Sequence, residues 1–95
     1  MLLGLVRGTV VASKRSDELE GARYLLVEVC TTGGEGTGSF IIVLDVLGAG
    51  EGEMVLVSQG SSARQTAVSK NRAVDAITVG IVDRVYESDG VAYRK

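Results

Sequence analysis

The 95-residue sequence has no proline, no histidine and no tryptophan, a single cysteine, and only 4% aromatic residues. Without an imidazole, Ser-His-Asp and Cys-His nucleophiles are excluded. Cys30 has no second thiol with which to close an intrachain disulfide, and no CxxC or Cys/His metal spacing exists. A surplus of one charge is also missing. Ten Lys+Arg stand against 12 Asp+Glu, a net charge of −2 that supplies no positive field for polyphosphate or an anionic membrane. The longest wholly apolar run, Phe40 to Leu44, is far short of the roughly 20 residues of a spanning helix. Met1 to Arg7 has no basic region leading into a long apolar segment. These absences point to a cytosolic chain with no catalytic residues, no cofactor, no metal, no membrane and no nucleic acid as partner.

Present instead are 45% hydrophobic residues and 13 glycines, with a mean hydropathy of +0.25. That is enough to bury a core, and the length admits one domain over residues 1–95. The apolar residues come in short Val- and Ile-rich blocks that alternate, the period of strands. The first block runs from Leu3 to Ala12, with Gly4, Val6, Gly8, Val10 and Ala12 on one face. Such a small-residue face suits the crowded interior of a small barrel, with an ordinary sandwich strand as the competing reading. Further strands are expected at Tyr24 to Cys30, Phe40 to Asp45, Glu53 to Ser58 and Ile77 to Tyr86. Ser13 to Ala22 reads as a polar surface loop, and Thr31 to Gly38 as a long flexible connection. Ser62 and Gln65 stand in capping-box relation, predicting a helix of one or two turns over Ser61 to Ala67. Glu87-Ser-Asp-Gly90 joins the last strand to Val91 to Arg94 through a favoured Asp-Gly turn. The fold expected is all-β: a five-stranded closed barrel of OB type, a short helix between strands 4 and 5, and a C-terminal hairpin.

Gly48-Ala-Gly-Glu-Gly-Glu53 matches neither GxGxxG nor a P-loop, and Glu51 and Glu53 would repel a phosphate. A turn bringing two backbones close is the better reading. Ser61, Ser62 and Arg64 lack a base, so the serines read as capping residues. Asp45, Asp75 and Asp83 have no EF-hand spacing and read as turn or interface hydrogen-bonders. Cys30 reads as a small buried or half-buried residue. An OB barrel raises single-stranded nucleic acid as an alternative ligand. However, Tyr24, Phe40, Tyr86 and Tyr93 form no pair at i, i+2, and the net charge has the wrong sign.

Five stretches in order carry a resemblance. They are Leu3-Gly-x-Val6-x-Gly-Thr-Val-Val-Ala12, Leu19-x-Gly21-x-x-Tyr-Leu-Leu-Val27, Asp45-x-x-Gly-Ala-Gly-x-Gly-Glu53-x-Val-Leu-Val57, Gly60-Ser-Ser-Ala-Arg64 and Asp75-Ala-Ile-x-Val-Gly-Ile-Val-Asp83. Together they resemble the EutN/CcmL family of bacterial microcompartment vertex proteins, over nearly the whole chain. The resemblance implies an OB-like barrel assembling as a homo-pentamer at the fivefold vertices of a cytoplasmic protein shell, among flat hexameric shell proteins. The glycine-rich stretch 31–38 departs from the pattern and leaves the shell type open.

A cyclic ring needs unlike patches that meet on neighbouring copies. The contact residues expected are Gly48, Ala49, Gly50, Gly52 and Glu53 in one stretch and Gly60, Ser61, Ser62 and Arg64 in the next. Arg64 is expected to pair with Glu53 or Asp83 across the interface. The hairpin from Val82 to Lys95, with Arg84, Glu87, Asp89, Arg94 and Lys95, is expected to project polar groups at the rim.

Overall fold

The computed structural model of the protein describes residues 1–11, 23–60 and 75–95. Among these residues seven strands follow in order: β1 (Leu2–Val10), β2 (Arg23–Cys30), β3 (Gly36–Asp45), β4 (Met54–Gln59), β5 (Ala76–Val82), β6 (Arg84–Glu87) and β7 (Gly90–Arg94). The first five close a barrel in the order β1-β2-β3-β5-β4, and β6 and β7 form a separate two-stranded sheet. All barrel pairings are antiparallel except β3 with β5, which run parallel and share the single ladder pair Leu44 and Ile77. This is a five-stranded closed barrel of OB type, as expected.

The alternation that defines the strands also fills the barrel. Leu25 and Val27 of β2 meet Val6, Val43, Val55 and Val57 in one buried cluster, with Ala49 and Ala76 at its edge. Each such aliphatic side chain contributes about 1.5–3 kcal/mol when removed from water. The crowding expected of the small face of β1 is found at Gly4, where a Cβ would run into Val27 Cγ1, and not at Gly8, where a Cβ would meet nothing within 4 Å. Between Val6 and Gly8 the register slips, and Arg7 turns out to pair with Glu28 at 2.9 Å. A second cluster of Leu5, Cys30 and Met54 lies beneath the β6–β7 hairpin, which contributes Val85 and Tyr93.

Strands β1, β2, β4 and β5 start one residue from their expected positions, and β1 ends at Val10, before the expected Ala12; three further differences have a structural reason. Strand β3 begins at Gly36, inside the glycine-rich stretch expected to be a flexible connection. Glu28 accepts the Gly38 amide at 2.9 Å and Thr37 Oγ1 donates to the Val29 carbonyl at 2.7 Å, so the pairing is held by polar groups. The long fifth strand is interrupted at Asp83, where the chain leaves the barrel sheet for the separate β6–β7 sheet. The hairpin turn centres on Ser88 and Asp89, with Gly90 already paired to Glu87 at a φ of +137°, one residue before the expected Asp-Gly centre. The expected helix over Ser61 to Ala67 lies outside the described residues.

Candidate functional site

The Gly48–Glu53 loop is built from Asp45, the buried last residue of β3. Its Oδ1 accepts the Leu47 amide at 3.0 Å and the Thr78 hydroxyl at 2.9 Å, and its Oδ2 accepts the Ala49 amide at 2.9 Å. Arg23 adds an ion pair at 3.5 Å and donates its Nη2 to the Ala49 carbonyl. Asp45 thus performs the turn bonding its place in the sequence suggests. Gly48 and Gly52 turn the loop at φ of +80° and +87°, which glycine adopts without strain. Gly52 then donates to the Val6 carbonyl at 2.8 Å and Val6 to the Glu53 carbonyl at 2.9 Å. This is the close approach of two backbones expected of the loop.

Glu53 is engaged within its own chain. Its carboxylate accepts Lys95 Nζ at 2.5 Å and the Gly50 amide at 2.6 Å. Lys95 first, and the Gly50 amide second, hold the Glu53 carboxyl below its ordinary value, and Glu53 raises Lys95 in return. Asp83 joins the same corner, its carboxylate 3.8 Å from Lys95 and its carbonyl accepting the Lys95 amide at 2.9 Å.

Gly60 stands apart. It follows β4, while Glu53 precedes it, and a strand of six residues separates its ends by roughly 20 Å. Gly60, at φ of +65°, donates to the Asp75 carbonyl at 2.8 Å. The structure therefore gathers Gly48, Ala49, Gly50, Gly52, Glu53 and Asp83 at one end of β4 and places Gly60 at the other. Ser61, Ser62 and Arg64 lie outside the described residues. Arg23, Thr78 and Lys95 were not expected here. Only Asp45, a carboxylate closing an apolar strand, carried a local signal.

No group of three His, Cys, Asp or Glu able to hold a metal occurs among the described residues. A cleft of about 290 Å³ beside the loop has Arg23 and Glu51 on its walls. These are of opposite charge, and Arg23 is already engaged with Asp45 and Ala49. Cys30 is buried, and burial pushes its thiol up, away from the nucleophilic thiolate.

The surface offers more than the cleft. Phe40 and Ile42, at i, i+2 on the outer face of β3, are 52% and 48% exposed. Tyr86 and Val91, paired across the hairpin, are exposed as well. Large apolar side chains standing together in water mark a surface that meets another protein.

A small OB-type barrel whose distinctive chemistry is on its outside defines an assembly module. Residues 1–83 match the family model described as "Ethanolamine utilisation protein EutN/carboxysome", and the chain belongs to that family. It is 40% identical over 95 residues to the carboxysome shell vertex protein CcmL of Gloeobacter violaceus, covering all of this chain and 95% of that protein. The solved structure of that CcmL matches with a TM-score of 0.91 over 100% of this chain and 98% of its own. The microcompartment shell vertex protein GrpN of Rhodospirillum rubrum is 46% identical over 85 residues, covering 90% of this chain and 96% of GrpN. Its structure, titled a pentameric microcompartment shell protein, matches with a TM-score of 0.81 over 92% of this chain and 99% of its own. The shell vertex protein EutN of Escherichia coli K12 is 38% identical across the full length of both chains.

Proposed function

We propose that this chain is a structural subunit of a bacterial microcompartment shell: five copies close a ring that caps a fivefold vertex, seated among hexameric shell proteins in the cytoplasm. It acts by shape and not by catalysis. The observation that carries the reading is the uncovered Phe40 and Ile42 face on an otherwise well-filled barrel. Full-length likeness to proteins named as shell vertex proteins, one of them titled pentameric, supports it. Subunits of a closed ring meet through unlike patches, and obligate interfaces are the more apolar kind. The Gly48–Glu53 loop and the Gly60–Arg64 segment are further contact candidates. With Glu53 engaged by Lys95, the exposed Asp83 is the carboxylate that Arg64 of a neighbouring copy would take.

Native mass spectrometry tests both statements. The unsubstituted protein is expected at five times its 9.9 kDa chain mass, and Arg64→Ala at a lower mass on dilution. A single-chain mass together with a shift of labelled oligo-dT would favour the alternative, an OB-type nucleic-acid module. An Arg64→Ala ring as stable as the parent would remove Arg64 from the interface.

A further inference from the structure

The two faces of the β6–β7 hairpin differ in chemistry. Val85 and Tyr93, a cross-strand pair, pack inward on the second cluster. The other face carries Arg84 and Arg94, directly opposed across the ladder, and beside them the opposed pair Tyr86 and Val91. All four are exposed, Tyr86 at 65% and Val91 at 43%. Arg84 Nη1 lies 3.4 Å from the Tyr86 hydroxyl to which it donates, so both side chains share that face. Among the described residues the ion pairs use Arg7, Arg23 and Lys95, and neither Arg84 nor Arg94 has a carboxylate within reach.

Like charges directly opposed across a ladder weaken it, and a two-stranded hairpin has little stability to give up. Carboxylates from outside would relieve the repulsion, and each guanidinium presents a fork suited to bidentate contact. Tyr86 and Val91 add an apolar centre, and tyrosine with arginine is the composition of interface hot spots.

We propose that Arg84, Tyr86, Val91 and Arg94 form the docking face for the acidic edge of a different shell protein, a tile adjoining the ring; this rests on the shell reading above. Charge complementarity selects the occupant. Half of the face is cationic on a chain of net −2, so its complement is an acidic protein surface. Composition separates it from the ring contact, because Phe40 and Ile42 bring no charge and suit an obligate interface, whereas this face has the mixed character of a contact made between preformed parts.

The probe is a purified hexameric shell protein from the same bacterium, immobilised, with ring binding followed by interferometry at low and high salt. Binding is expected for the unsubstituted ring, weakening with salt. Arg94→Glu is expected to lose roughly tenfold or more in affinity while keeping the five-chain mass. Its thermal midpoint should hold or rise, because the new carboxylate faces Arg84; a merely structural role would lower stability and binding together. Arg94→Lys should retain most of the binding. The proposal is overturned by absence of binding in the parent, by equal binding of Arg94→Glu, or by its collapse to single chains, which would make the face a ring contact. Equally tight capture of oligo-dT by the parent also overturns it. A parent mass other than five chains counts against the ring reading alone, since tile binding is scored separately.

Discussion

Gly4 and Gly8 lie on the same strand, yet the barrel asks different things of them. A Cβ on Gly4 would enter the space of Val27 Cγ1 and press the Glu28 carbonyl at 3.2 Å, whereas a Cβ on Gly8 meets nothing within 4 Å. Gly4→Ala is therefore expected to destabilise by about 1–3 kcal/mol through overpacking. Gly8→Ala should be neutral or gain up to about 1 kcal/mol by restricting the unfolded chain. Urea melts of the two variants decide the matter, and equal midpoints would contradict the assignment of Gly4 to the crowded interior. Asp45 works at the same scale by the opposite means. It organises a loop because two amides and a hydroxyl converge on one buried carboxylate, and these hydrogen bonds offset the cost of burying it.

The elements depend on polar ties at their ends. Lys95 clasps the hairpin to the Gly48–Glu53 loop through Glu53. Because the Glu53 carboxyl is held below its ordinary 4.5, its contribution is present above that value and is lost as pH falls through the lowered one. Lys95 is held above its ordinary 10.5, so its contribution is present below that value and is lost as pH rises through the raised one. The clasp is thus closed at neutral pH and opens in acid. Amide heteronuclear NOEs of β6 and β7 should fall on acidification, and Lys95→Met should show the lower values already at neutral pH. Unchanged NOEs in that variant would mean that Val85 and Tyr93 hold the hairpin unaided. Glu28, lowered chiefly by the Gly38 amide and then by Arg7, gives β3 a separate acid response. Such ties explain what the sequence reveals and what it conceals. Barrel strands are legible because Leu25, Val27 and Val43 alternate with outward residues. The start of β3 is not, since a distant carboxylate and a threonine hydroxyl hold Gly36 to Gly38 in the ladder. The break at Asp83 is hidden because Val82 and Val85, on either side of it, are both apolar and pack on the same second cluster, so the apolar pattern runs through the change of sheet. The glycine loop could be read as a close backbone approach, but its partners Arg23, Thr78 and Lys95 are brought there only by the closed barrel.

At the scale of the whole molecule, the interior and the outer surface of β3 differ in what they require. Ile41 and Val43 serve the barrel core, whereas Phe40 and Ile42 stay half exposed on a single chain. Ile42→Asp consequently leaves the barrel intact and acts on assembly. At a packed interface it removes an apolar side chain worth about 1.5–3 kcal/mol and introduces a charge with no partner. In a heterologous ring every contact carries the substitution once, and releasing one subunit breaks two contacts. A loss of about 3 kcal/mol per contact therefore becomes about 6 kcal/mol per departing subunit, roughly four decades in the dissociation constant. Sedimentation velocity across a dilution series should find Ile42→Asp as single chains where the parent remains a ring, with far-UV circular dichroism unchanged. A five-chain mass that persists for Ile42→Asp on dilution would move the ring contact away from β3, towards the Gly48–Glu53 loop and Asp83.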